Sequence, residues 1–444
     1  MRDSLILCLL TLIVGFTVWQ YGGVTPQEWN YTLAALCFLA LFRWITGRAS
    51  SFIPAAAPTL PLLTAAVLVY VAFQMVPMPA VWLRVLSPAR YEILRGMAPV
   101  VGSQWAPLSL APQLTLAHLL RLVAYLIVFL LVREITFRFT SRIWIPAIPL
   151  VVIGVCESGL GLAQSLTGGG NAAGTYMDHS HLAGLLEMAL PLSLVLTLIA
   201  LQRTQRGTSS GSAKAALVCL AAACAAVIVL ALLFTASRMG LVAAAFSLAV
   251  LGALELITQR DRNRTAMLTV AFGLIFLLIS APLSLVSRYE GGLTAEGRIP
   301  IWRSALALIA QYPVFGCGLG TFVSGVQKYS AATPGYLVDY AHNDYLQLLA
   351  ELGFVGMALI AAFAWTAGSG AFRILRQESN PTSRLITLGC IASLGAIAFH
   401  CLVDFQFYIP ANMMVAAWLA GIVAGIRGAA VLRKKNIPIF NAVV

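Results

Sequence analysis

Apolar runs about as long as a bilayer core is thick, separated by short polar punctuation, recur along almost the whole chain. A spanning helix needs roughly 20 mainly apolar residues. Twelve stretches fit that length: 4–21, 30–46, 59–77, 115–132, 143–164, 182–201, 215–235, 239–257, 266–286, 345–368, 385–408 and 411–427. The pattern predicts an all-α polytopic membrane protein of about 12 transmembrane helices, with residues 1–444 forming a single integral membrane domain.

Two polar stretches interrupt the pattern. Residues 78–112 alternate apolar positions with Arg84, Arg90 and Arg95, as an interfacial helix lying on a membrane would, or a platform for an anionic glycolipid. Residues 287–353 are longer and combine glycine punctuation with Arg288, Arg298, Arg303, Asp339 and His342. Their loop proper, 287–343, holds a further helical pattern: Pro300 suits a first turn, and Ile301, Trp302, Ala305, Leu306 and Ile309 share one face. A loop of this length with internal helical order is expected to be functional.

Composition agrees with the pattern. The chain is 60% hydrophobic and 10% charged, with a mean hydropathy of +0.89, too little polar surface for a soluble globule of 444 residues. Net charge is +12, and position explains it better than nucleic-acid binding does. With the N-terminus inside, the inner segments collect Arg43, Arg48, Arg133, Arg138, Arg142, Arg203, Arg206, Arg260 to Arg264, Arg373 to Arg384, Arg427 and the Arg433–Lys435 tail, most of the 28 basic residues. Positive charge is retained on the cytoplasmic side. Both termini are therefore expected inside and both long loops outside. The first apolar run is read as a helix, because no small-residue cleavage site follows it. Cys317 alone among eight cysteines falls in an outer loop, so neither a disulfide framework nor a CxxC site is suggested.

Candidate chemistry gathers on the outer side. His118 and Arg121 lie three apart on the fourth span; Arg121 either pairs with Glu157 or Glu187 or binds substrate. The glycine-rich 168–174 turn is followed by Asp178, His179 and His181, a polar rim whose DHxH spacing matches no zinc motif. In TASRMG, Arg238 stands at a helix N-terminus, beside orphan N–H groups that favour an anion. His342 precedes a helix capped by Asn343 or Asp344, where the positive helix end biases an imidazole toward the neutral form a general base requires. Arg238, Arg288 and Arg298 would share its side of the membrane, and guanidinium groups grip phosphate oxygens bidentately. Asp339 and Asp344 flank His342 without forming a metal pattern. In FHCLVDFQFYIP, His400 and Asp404 lie four apart, either an internal ion pair or support beneath the site.

GTYMDHSHLAGLLEMALPL (174–192), TASRMG (235–240), GRIPIWRSALALIAQYPVFGCGLGTF (297–322) and AHNDYLQLLAELGFVG (341–356), in this order and spacing, resemble the O-antigen ligase and polymerase superfamily of envelope glycosyltransferases. The resemblance implies a GT-C-like fold in the bacterial inner membrane, an undecaprenyl-diphosphate-linked glycan as donor, and periplasmic chemistry without metal or other cofactor. It maps the family's functional arginines onto Arg238 and Arg298 and its histidine onto His342. An asparagine common near the start of the sixth span is replaced by His179 or His181. Arg288 and Arg121 are expected to assist on the pyrophosphate, with His181, Asp339 and Asp404 behind the site or toward the acceptor. Size and the short tail favour the ligase that transfers O-antigen to lipid A-core. The related polymerase and protein O-oligosaccharyltransferases stay open as alternatives, with a lipid-linked glycan transporter as the competing class.

Overall fold

The computed structural model describes residues 2–46, 59–139, 141–206, 211–258, 295–329 and 337–434. The predicted span 266–286 and Arg288 lie outside the described residues. In chain order the helices are α1 (Arg2–Trp19), α2 (Pro26–Thr46), α3 (Thr59–Phe73), α4 (Ala80–Leu86), α5 (Pro88–Val101), α6 (Pro112–Arg138), α7 (Ile148–Gly168) and α8 (His179–Arg206). They continue with α9 (Gly211–Thr235), α10 (Arg238–Thr258), α11 (Ala295–Gln311), α12 (Phe322–Val326), α13 (Asp344–Gln377), α14 (Pro381–His400) and α15 (Pro410–Lys434). Among the described residues, nine helices are long and apolar enough to cross a membrane, and α3 is a shorter apolar helix. The protein is an all-α polytopic membrane protein.

Local chemistry sets the helix starts. Pro26, Pro112, Pro381 and Pro410 occupy first helical positions, where the missing N–H costs nothing. Asn380 caps α14 by accepting from Thr382 N and Ser383 N, and Asn343 caps α13 by accepting from Leu346 N. In the bundle core, Trp418 of α15 is fully buried and donates its indole N–H to Pro146 O at 2.8 Å. A methyl group on Gly421 or Gly425 would lie 2.8 Å from Phe129 O or 2.7 Å from Arg133 O, so this G-x-x-x-G lets α15 meet α6 backbone to backbone.

The two ends of the bundle differ. At one end, ion pairs join Glu134 to Arg43 and Arg138, and Glu255 to Arg384. At the other lie the first turns of α8, α10, α13 and α15, together with the 401–409 turn. The 78–112 stretch is a helical hairpin, α4 and α5, closed by a ribbon pairing Met78–Pro79 with Trp105–Ala106. It buries Leu83, Leu94 and Leu108 and leaves Val81, Trp82, Val85 and Met97 exposed.

The predicted tenth span contains a break that hydropathy does not register. Gly353 takes φ 62°, ψ −173°, a conformation essentially confined to glycine, and interrupts α13 after its first nine residues. The backbone groups freed there are satisfied by the 313–318 loop. Phe354 N donates to Pro313 O, Val355 N to Val314 O, Cys317 N to Ala350 O and Gly318 N to Glu351 O. Tyr70 and Gln74, at the end of α3 and just beyond it, donate to Leu352 O and Glu351 O and complete the accounting. Gly316 and Gly353 thus serve this junction, while Gly318 and Gly320 allow close approach to Ser109 and His118. Alanine at 353 would bring its methyl 2.4 Å from Val314 O as well as strain the backbone. Gly353→Ala is expected to cost about 1–3 kcal/mol or more, read as a lower thermal unfolding midpoint in detergent.

The predicted eleventh span, 385–408, needs correction. The helix ends at His400, and 401–409 folds back as a turn containing the short helix Gln406–Tyr408. FHCLVDFQFYIP is apolar enough to read as membrane. However, Asp404 accepts from its own following amide, Phe405 N, which fixes a turn rather than another helical residue. Asp404 is therefore not on the same helical face as His400; it reaches back toward it from the turn.

Candidate active site

Four chain segments meet at the polar end of the bundle. Asp344 N donates to Cys401 O and Asp404 O, and Asp344 Oδ2 accepts from Phe407 N at 2.8 Å, so the start of α13 is fastened to the turn. Gln406 donates to Ser180 O, and Asn412 donates to His181 O and to Gln406 Oε1, so the same turn is fastened to α8. The hydroxyls of Ser180 and Ser237 meet at 3.1 Å, while Ser237 Oγ also accepts from Gly240 N as the cap of α10. Each fastening uses a buried or half-buried polar group with a defined partner, which fixes one arrangement of the helix ends.

His342 stands at the mouth of this junction. Its φ of 47° is left-handed, a region histidine enters more readily than bulkier or branched residues do. Ala341 N is held by Gln347 Oε1 and Asn343 caps the helix, so neighbours on both sides hold the conformation. Its side chain is 19% exposed, and Nδ1 lies 3.8 Å from Asp404 Oδ1. Burial alone would raise the Asp404 carboxyl, but the His342 and His400 imidazoles hold it well below the usual carboxylate range. A fixed anion behind Nδ1 favours the tautomer with its proton there, leaving Nε2 free to accept.

An aromatic group surrounds the histidine. Tyr340 stacks on Phe405 with centroids 4.1 Å apart, while His342 and His181 approach the same ring edge-on at 5.0 and 4.9 Å. Tyr408 packs edge-on to Tyr340 and to His118. Its hydroxyl donates to Glu351 Oε2 at 2.6 Å, and burial followed by that carboxylate raises it far above the ordinary phenol range. Glu351 also accepts from Gly320 N and Phe322 N, so the 313–322 loop is anchored beside the site.

The sequence candidates fall into distinct places. His342, His181 and Asp404 come together, and His181 Nε2 is buried with no hydrogen-bond partner among the described residues. Arg238 is exposed at the first position of α10, next to the Ser180–Ser237 contact. Arg121 pairs with neither expected carboxylate. Glu157 is occupied by the backbone and hydroxyl of Thr175, and Glu187 by His400. Instead the Arg121 guanidinium lies 5.7 Å from the Trp29 ring centroid, its Nε is buried without a partner among the described residues, and its charge acts on Tyr340. Arg298 lies on α11, whose Ile301 and Ala305 pack with Val338 and Ala341 of the irregular segment leading to His342. No hydrogen bond or ion pair joins Arg298 to the other candidates among the described residues, and its Nε is also unpartnered. Asp339 is exposed on that same lead-in.

Sequence reasoning missed Tyr340, Phe405 and Tyr408 as a group, because aromatic residues at span ends ordinarily read as interface anchors. Among the described residues no group of three or more His, Cys, Asp or Glu converges in a way that could hold a metal ion. Chemically, the site offers a partly exposed imidazole backed by a carboxylate, with guanidinium groups near neighbouring helix ends.

Residues 220–361 match the family described as O-antigen ligase. The matched segment includes Arg238, Arg298 and His342 together with the 313–322 loop, and the resemblance is at the level of the superfamily. No curated protein sequence matches the chain.

Proposed function

We propose that the protein is a glycosyltransferase that joins O-antigen polysaccharide from undecaprenyl diphosphate to lipid A-core. In this reading it is a GT-C-like enzyme of the bacterial inner membrane. The observation that carries it is His342, aimed from the start of α13 with Asp404 behind it, in a chain whose 220–361 segment resembles O-antigen ligase. The basic end of the bundle, with Arg43, Arg138 and Arg384, is assigned to the cytoplasm, which puts both termini inside and the site in the periplasm.

The residues divide the work. His342 Nε2 takes the proton of an acceptor sugar hydroxyl as its oxygen attacks the anomeric carbon. The bond from that carbon to the pyrophosphate breaks from the opposite face, and undecaprenyl diphosphate leaves with the electron pair. The new linkage is inverted, and no metal is required in this scheme. Arg238 and Arg298, with Arg121 and Arg288, offset the charge growing on the pyrophosphate. His181 and Asp339 line the acceptor side. Arg121 supports this division because it has no carboxylate partner among the described residues and so keeps its charge for a ligand.

The test is reconstitution of purified protein in detergent with the donor lipid and either lipid A-core or a second donor glycan as acceptor. Transfer to lipid A-core supports the ligase; transfer only to a second glycan indicates a polymerase, and transfer to a protein acceptor an oligosaccharyltransferase. A transporter has no membrane to cross and forms no linkage. Arg238→Ala and Arg298→Ala are each expected to lower kcat/KM for the donor by about 10²–10³-fold, the scale of one lost group stabilising a transition-state anion. Full activity in both would remove the phosphate grip.

A further inference from the structure

A line of acid and imidazole groups continues inward from the site, through residues outside the segment that matches O-antigen ligase. Asp404 Oδ1 lies 3.8 Å from His342 Nδ1, and its Oδ2 lies 3.5 Å from His400 Nε2. His400 Nδ1 in turn lies 2.9 Å from Glu187 Oε2. The side chains of His400 and Glu187 are both 0% exposed. They come from different helices, α14 and α8, and the fold alone would be served by two apolar side chains of similar volume. Replacing a buried ion pair by hydrocarbon is often neutral or stabilising. A fully buried carboxylate and imidazole, set in line behind a partly exposed histidine, therefore call for a role besides packing.

We propose that Glu187 and His400 are positioning residues for the transfer reaction, holding Asp404 on His342 Nδ1 and setting the charge behind it. The inference rests on His342 acting as the base. His400 Nδ1 is hydrogen-bonded to Glu187 Oε2, and Nε2 faces Asp404 Oδ2 as a charge contact without a hydrogen bond among the described residues. A ring with a carboxylate oxygen on either side suits the doubly protonated form, since ionised carboxylates only accept. Glu187, His400 and Asp404 then carry one net negative charge. The proton that leaves the acceptor hydroxyl and arrives on His342 Nε2 brings the line to neutrality. Asp404 keeps its charge throughout, and its carboxyl is held below the ordinary range by these imidazoles against the opposing effect of burial.

Other titratable groups face the line as well. His181 of α8 lies beside Asp404, and Asp344 of α13 and Cys401 of the turn border His400. Asp344 is committed through Oδ2 to Phe407 N. His181 contributes no hydrogen bond through its buried Nε2. Among the described residues Glu187 has one polar partner, the next link in the line, and its Oε1 has none.

The test follows the titration of His342 by site-resolved carbethoxylation with diethyl pyrocarbonate, read by mass spectrometry against pH on folded, full-length protein. Only the neutral ring reacts, and His342 is accessible where His400 is not. Glu187→Gln removes a negative charge from the far end and is expected to move the His342 titration down by roughly one pH unit. His400→Gln removes a positive charge and is expected to move it up. The acid limb of kcat should follow in each case, with KM for both lipids unchanged. Opposite shifts in the two variants support the proposal. An unmoved titration in either variant that folds overturns it, even if turnover falls, because that is what a purely structural pair would give. His342→Ala tests the base assignment separately: if that variant keeps full transfer the base reading is wrong, whereas the positioning line is judged by carbethoxylation alone.

Discussion

His342→Ala is expected to lower transfer between the two lipids by about 10²–10⁴-fold, the contribution of a positioned general base. The loss should lie in kcat, with donor KM close to that of the wild type, because the proposed scheme gives the pyrophosphate to the arginines and not to the imidazole. Alanine also occupies the left-handed conformation that His342 adopts, at some cost. Thermal unfolding measured alongside separates a misfolded site from an intact site lacking its base. Full turnover by a well-folded His342→Ala protein would show that another group takes the proton.

The second large effect is expected at Asp404. Asp404→Asn keeps the size and the contact with Phe405 N but removes the charge that faces both His342 and His400. His342 loses the anion that fixes its tautomer, and kcat is expected to fall by at least about tenfold, since orienting groups of this kind matter through the base they hold. Stability gives an independent sign. The carboxyl is held below its unfolded value, so its contribution to folding is fully present above the ordinary aspartate pKa of about 4 and is lost as pH falls below that value. The difference in unfolding midpoint between wild type and Asp404→Asn should therefore be largest near neutral pH. It should shrink as the wild type is acidified through the range where Asp404 takes up its proton. A difference that stayed constant into acid would mean that Asp404 contributes no charge to the fold.

Much of this architecture was legible in the chain because membrane burial leaves a one-dimensional trace. Nothing but a long apolar run can become α9 or α15, and the proline and asparagine signals before α13 and α14 mark their starts. His342, Arg238 and Arg298 stood out as polar residues at the borders of such runs. The features that escaped depend on pairing across the fold. Glu187 and His400 are 213 positions apart, and neither segment alone says which buried charge will answer the other. For Arg121 the chain leaves both a carboxylate partner and a bound substrate open, because a charge in a span ordinarily requires one or the other; the structure withholds Glu157 and Glu187 and sets it by Trp29 and in the neighbourhood of Tyr340. The turn at Asp404 was hidden for a different reason. Its flanking residues are apolar, so hydropathy carried the span through it, while a single side-chain bond to Phe405 N determined the outcome.

The break at Gly353 has a mechanical consequence for the catalytic end. Residues 344–352 are tied to the 313–322 loop, to Gln74 and to Tyr408, and the part of α13 beyond Gly353, long enough to cross the lipid, begins with two residues, Phe354 and Val355, tied to that loop as well. A bilayer that thins or thickens tilts its spanning helices. Here such tilt meets one glycine before it meets the histidine. The 313–318 loop is bonded to Phe354 and Val355 on one side of that glycine and to Ala350 and Glu351 on the other, so a tilt of the long arm of α13 is borne by this loop as well as by the short arm next to Asp404.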